Sequence, residues 1–180
     1  MRMKRAAEGR GRDARRLRIA TEEAWHRRDR ATSAPQRELL VSVMRGQEYG
    51  IDIAHINEII KVRPPTEVPR VPPFILGVIS VRGVVLPVID LKRRLGGDGV
   101  TDLSPQARYL IVTRDDEMFG LLVDGVRQVV RIGEDAIEPP LAGSGEGDFI
   151  AGIGRLERRM VVLLDLDAIL RFEVRKRRAR

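Results

Sequence analysis

The stretch "LLVSVMRGQEYGIDIAHINEII", residues 39–60, comes back seventy positions on as "YLIVTRDDEMFGLLVDGVRQVV", residues 109–130. In that register Leu40 meets Leu110, Tyr49 meets Phe119 and Gly50 meets Gly120. Ile51, Ile53, Ile56 and Ile59 meet Leu121, Val123, Val126 and Val129. A second correspondence, at a shift of 75, lays "GVISVRGVVLPVIDL" (77–91) on "GIGRLERRMVVLLDL" (152–166). It puts Gly77 on Gly152 and Asp90-Leu91 on Asp165-Leu166. The two shifts are close in size and run in the same order, so the chain holds an internal repeat. Two similar half-domains of about five strands each follow. Short strands with frequent turns favour small closed barrels over open sheets, because closure removes the edges. The predicted class is therefore mainly β: two similar five-stranded SH3-like β-barrel subdomains with short helices and a C-terminal helix.

Working outward, "ELLVSVMRGQEYGIDI" reads as two strands around a turn at Gly46-Gln47. In "AHINEIIKV", Ile56, Ile59 and Ile60 recur at i, i+3 and i+4, which predicts one or two helical turns. "RPPTEVPRVPPF" has five prolines in twelve residues and must be an extended connection. The hairpin of 77–91 turns at Arg82-Gly83, with Val81 and Val84 expected to carry its packing. After a polar loop at 92–107, strands are predicted at 108–114, 118–124 and 126–132, then near 149–156 and 159–165. A C-terminal helix begins at about Asp167.

The net charge of +7 is unevenly spread. Residues 1–37 carry 12 basic and 5 acidic side chains, and residues 171–180 carry 6 and 1. The remaining 38–170 carry 15 and 20, a net of −5. The basicity belongs to the ends, and the central body is mildly acidic. Residues 1–36 read as a mobile basic arm, in which 14–30 suits a short helix too poor in apolar residues to anchor itself. Residues 173–180 read as a basic tail. The start is basic but has no apolar stretch behind it, so it does not read as a secretory signal. No run is long and apolar enough to span a membrane as a helix.

Chemistry is sparse. There is no cysteine, which excludes disulfides and thiolate metal sites. The two histidines, His26 and His55, stand 29 residues apart without a second His beside either, so no metal site is expected. His55 reads as a surface residue. The Gly-rich "AGSGEGD" carries Glu146 and Asp148, which repel phosphate, and reads as a connection. The acids of "TRDDEMFG" suit a hairpin turn and lack calcium-loop spacing. Asp90 and Asp165, each between an apolar strand and a following turn, read as matching caps rather than an acid/base pair. No active site and no cofactor are predicted.

Taken together, "QEYGIDIAHINEII", "PPFILGVISVRGVVLPVIDL", "FGLLVDGVRQVV" and "IAGIGRLERRMVVLLDLDAIL" resemble the CheW family, the adaptors of bacterial chemotaxis-type signalling. The resemblance covers about residues 36–172 and leaves the arginine-rich ends outside it. It implies two five-stranded barrels with a hydrophobic seam, a domain at 37–172, and no enzymatic activity. It implies two partners, the cytoplasmic tip of methyl-accepting chemoreceptors and the regulatory domain of a CheA-type histidine autokinase. No small-molecule substrate is implied. The location implied is cytoplasmic, at receptor arrays on the inner face of the membrane. The same domain occurs within CheA and CheV, but 180 residues leave no room for a kinase or receiver domain, so a stand-alone adaptor is expected.

Carried over by position, Ile56, Glu58, Gly77 and Arg82 are implied to bind the receptor. Arg108 and Val129 are implied on the kinase side. Ser80-Val81 stands where the family usually has Asn-Leu, and Arg108 stands where it commonly has an apolar residue. On pattern alone, Arg82 reads as an exposed turn residue. The alternative from another class is a CheW-like scaffold whose basic ends make weak, non-specific contact with nucleic acid or an anionic membrane.

Overall fold

The structure, a computed structural model, describes residues 35–98, 103–140, 149–156 and 159–172. The expected arm, save its last two residues, lies outside the described residues, as do the tail of 173–180, His26 and the glycine-rich loop of 142–148.

Eleven strands follow one another: β1 (Gln36–Met44), β2 (Gln47–Asp52), β3 (Ile56–Lys61), β4 (Ile75–Val81), β5 (Val84–Asp90), β6 (Arg108–Arg114), β7 (Glu117–Val123), β8 (Gly125–Gly133), β9 (Ile137–Glu138), β10 (Ile150–Leu156) and β11 (Arg159–Leu164). Helix α1 (Leu91–Arg94) follows β5, and α2 (Leu166–Leu170) follows β11. The strands form one sheet in the order β8-β1-β2-β11-β10-β9 and another in the order β3-β6-β7-β5-β4.

Those orders show how the repeat folds. The first repeat supplies β1 to β5 and the second supplies β6 to β11. Each sheet takes its first hairpin from one repeat and its remaining strands from the other. The exchange is made by two parallel pairings, β5 with β7 and β11 with β2. Val88 faces Gly120 in the first, and Leu163 faces Gly50 in the second. A Cβ on Gly50 would stand 3.1 Å from Val161 Cγ1, and one on Gly120 would stand 3.4 Å from Leu86 Cδ1. The glycine pair seen in the sequence thus marks where strands of different repeats meet.

Hairpin turns fix the register. Arg45-Gly46, Arg82-Gly83 and Asp115-Asp116 all have positive φ at both central residues, the geometry that matches the strand twist. The first turn is therefore one residue earlier than the predicted Gly46-Gln47. Because strands such as β6 are covered on both faces, they read as continuous apolar runs. Tyr109 and Ile111 enter the core of the five-stranded sheet, while Leu110 and Val112 join a larger cluster shared by both sheets. Burial pushes the Tyr109 phenol up from its ordinary pKa, against a smaller lowering by Arg63, and its hydroxyl donates to the Arg63 carbonyl at 2.9 Å. Leu39, Ile132 and Leu163 form the core of the other sheet.

Two further sequence expectations need correction. The segment predicted as helical turns is a single 3-10 turn, Ile53–His55, followed by the edge strand β3. A register shift between Ile56 and Glu58, with Ile59 exposed, produces helix-like spacing in a strand. The polar loop expected at 92–107 opens with α1 instead. The capping expectation holds at both positions: Asp90 accepts from Arg93 N at 3.3 Å and Asp165 from Ala168 N at 3.0 Å. His55 is exposed, as expected.

The two helical turns are tied together by Arg94. Its guanidinium lies 4.6 Å from the ring centre of Phe74, 4.5 Å from Phe149 and 5.8 Å from Phe172. It donates to the carbonyls of Ala168, Ile169 and Arg171 at the end of α2. Burial lowers its pKa, yet a guanidinium remains charged, and the aromatic faces and carbonyls compensate for lost water.

Candidate functional site

β3 and β4 are the two edges of the five-stranded sheet, and side chains bring them together. Arg63, just past β3, donates to the Ser80 carbonyl on β4. At the tip of the β4–β5 hairpin, Arg82 Nη2 meets Glu58 Oε2 of β3 at 3.0 Å. The Arg82 side chain is 82% exposed and that of Glu58 is 23% exposed. The arginine is thus held by a half-sheltered carboxylate while most of its hydrogen-bonding surface faces outward.

The apolar surroundings differ from expectation. Val81 is buried, but Val84 is exposed and Val85 is 67% exposed, so Val84 does not carry the packing. The first two residues of β5 are thus both exposed, directly after the Arg82-Gly83 turn. Ile59 on β3 is also exposed. Val85 was not singled out from the sequence, and Val84 and Ile59 were read there only for packing, helical spacing and the repeat. A valine run looks the same whether both faces are covered or only one.

The other site residues fall in different places. Ile56 is partly buried and packs against the shared core. Gly77 has φ +143°, and a Cβ there would stand 2.2 Å from the Thr66 carbonyl oxygen. The backbone that approaches it belongs to its own chain: Thr66 and Val78 exchange hydrogen bonds of 2.8 and 2.9 Å. Beside this bridge runs a groove of about 300 Å³ lined by Arg63, Pro64, Thr66, Ser80 and Val85. Arg108 turns back on its own loop, donating to the carbonyls of Pro105 at 2.8 Å and Ala107 at 2.7 Å. Val129 is exposed on β8, the edge of the other sheet. Only Glu58 and Arg82 are brought into direct contact.

No group of three or more His, Cys, Asp or Glu side chains suited to a metal ion occurs among the described residues. Among them, too, no helix is long and apolar enough to cross a membrane. The surface offers an ion pair and apolar side chains, a chemistry of docking.

The family of CheW-like domains matches residues 38–174. The chain belongs to the CheW-like family. It is 35% identical over 137 residues to a probable chemotaxis protein CheW of Rhizobium etli, spanning 74% of this chain and 86% of that protein. Over 134 residues it is 34% identical to the chemotaxis protein CheW of Bacillus subtilis, spanning 73% of this chain and 85% of the relative. Protein FrzA of Myxococcus xanthus is 31% identical over 129 residues, covering 69% and 80%. The fold agrees with the crystal structure of the scaffolding protein TtCheW from Thermoanaerobacter tengcongensis, at a TM-score of 0.71 and 32% identity. That likeness covers 77% of this chain and 94% of the other. This CheW-like chain is accordingly a coupling adaptor of chemotaxis-type signal transduction, and its mainly β, two-sheet architecture is the family's.

Proposed function

We propose that this CheW-like protein joins the cytoplasmic tip of methyl-accepting chemoreceptors to the regulatory domain of a CheA-type histidine autokinase, and catalyses no reaction itself. It works in the cytoplasm, recruited to receptor arrays at the inner face of the membrane. Residues 37–172 are the working domain. The observation that carries the receptor side is the exposed Arg82, oriented by Glu58 and followed by two exposed valines. A receptor tip is a helical hairpin with an apolar stripe and a few polar groups. Its complement is an apolar surface with a small number of fixed polar contacts. Glu58 with Arg82 fixes orientation, Ile56 supplies apolar wall, and Gly77 keeps the Thr66 segment seated beside β4. Arg108 and Val129 belong to the kinase side.

The test is a binding assay of the full chain against a receptor cytoplasmic fragment and the kinase regulatory domain, singly and together. A ternary complex is expected, with kinase activity responding to receptor only when the adaptor is present. Binding to neither partner overturns the reading.

A further inference from the structure

The repeat allows surfaces of the two halves to be compared position by position. Asn57 and Glu58 lie on β3 and Val84 on β5, the strands linked by the Arg82–Glu58 pair at the hairpin tip; their counterparts at shifts of 70 and 75 are Arg127, Gln128 and Arg159. Buried counterparts such as Ile51 and Leu121 stay alike, whereas these surface positions change in charge. Two related surfaces have acquired different chemistry.

Arg127 and Arg159 converge on Glu48 of β2. Arg159 Nη1 lies 3.1 Å and Arg127 Nε 3.6 Å from the same oxygen, Glu48 Oε1. The Glu48 side chain is largely buried, and its other oxygen has no hydrogen-bond partner among the described residues. One carboxylate therefore orients two guanidinium groups and neutralises only one. The two arginines line a groove of about 620 Å³ with Val43, Gln106, Asp124 and Gln128. Asp124 does not cancel the excess, because Lys92 Nζ lies 2.9 Å from its Oδ1 and Arg45 N donates to its Oδ2 at 2.9 Å. The groove keeps a surplus positive charge on a central body whose net charge is −5. Arg127 meets Glu48 through Nε at 3.6 Å, longer than a hydrogen bond, so its guanidinium keeps donors for a carboxylate, which the terminal fork recognises in bidentate fashion.

We infer that this groove is a docking site for an aspartate or glutamate side chain of a protein partner, and that the partner is the kinase regulatory domain. The inference rests on the coupling function proposed above. An adaptor that holds two partners at once needs two faces of different chemistry. The Arg82 tip serves one, and the Arg127–Arg159 groove serves the other. Two features flank the groove: the 105–107 turn pinned by Arg108, and the strand whose outward side continues from Arg127 to Val129.

The experiment measures affinity of the full chain for the kinase regulatory domain and, separately, for the receptor fragment. Arg127→Glu should weaken kinase binding about tenfold or more and leave receptor binding unchanged. Arg159→Lys, which keeps charge but loses the fork, should weaken it less. Arg131→Glu is the control, since Arg131 lies exposed on the same strand, paired with Glu38 at 2.7 Å, outside the groove. It should bind normally. Thermal melts identify any variant that unfolds, and Arg127→Ala, which leaves the Arg159–Glu48 pair intact, then takes its place. Undiminished kinase binding by the folded Arg127 variant overturns the inference while leaving the coupling function standing. So does equal weakening by Arg131→Glu, which would mean bulk charge. A parent protein that binds neither partner overturns both.

Discussion

Arg82 holds a left-handed backbone conformation, φ 50°, which costs a residue with a Cβ about 1 kcal/mol. Replacing it by alanine keeps that cost and removes only an ion pair that is mostly exposed on the arginine side. Surface pairs of this kind contribute about 0–1 kcal/mol. Arg82→Ala should therefore lower stability by roughly half a kcal/mol, read from a denaturant titration. Affinity for a receptor fragment should fall about tenfold or more, because a charge-assisted contact in a partly desolvated interface is lost. A variant that melts early, or binds receptor unchanged, would return Arg82 to an ordinary turn arginine. Gly77 on the same hairpin has the opposite profile. A methyl group there meets the Thr66 carbonyl at 2.2 Å in a backbone region that side chains rarely adopt. Gly77→Ala should cost roughly 3 kcal/mol and drop the thermal midpoint by about 10 °C. A melting curve within a few degrees of the parent would show that the 64–67 segment moves aside freely.

The helix caps repeat with the strands, and their energetics should too. Asp90 and Asp165 each end a strand, accept from a backbone N–H three residues on, and follow an equivalent phenylalanine contact: Asp90 N donates to Phe74 O, and Asp165 N to Phe149 O. Either aspartate replaced by alanine should cost about 1–2 kcal/mol by losing the cap. Asp90 should cost the more, since its side chain is almost wholly buried and also lies 3.6 Å from Arg93 Nε. Equal midpoints for Asp90→Ala and the parent would show that this cap is idle. These caps were legible in the sequence because a cap is local, needing only an acceptor at the right offset. The character of β3 was not. Its inward positions hold Ile56, Glu58 and Ile60, while Ile59 faces out. A carboxylate inside and an isoleucine outside invert the usual strand pattern and imitate a helix. That inversion is itself a signal of function: a strand made only for stability would have placed those two residues the other way round.

Apolar patterning tells which residues are covered but not which strand covers them, so the repeat could be read from the sequence while the exchange between repeats could not. Leu40 and Leu110 look alike in either arrangement. Only the pairing shows that β1 and β2 join β11, and that β6 and β7 join β5. The exchange has a physical consequence. A half-chain carrying β1 to β5 alone would have a hairpin without its parallel neighbour and a β4–β5 hairpin with no β7 beside it. Its share of the common core, Leu40, Met44, Ile51, Ile89 and Leu91, would lose Leu110, Val112, Phe119, Leu121 and Leu164. Arg94 would lose the carbonyls of α2 and two of its three aromatic partners. Apolar side chains stripped of their partners return to water at about 1.5–3 kcal/mol each, more than a domain's usual margin once several are exposed. Cutting the chain at 99–102 should therefore give two fragments, each without a cooperative melt or dispersed amide signals. Mixed in equal amounts they should recover both, because every strand then finds its native neighbour and only one connection is missing. The association should be tight, since the interface between fragments is the core itself. If the first fragment alone melts cooperatively, the strands exchange less completely than the pairing shows, and each repeat can close on itself.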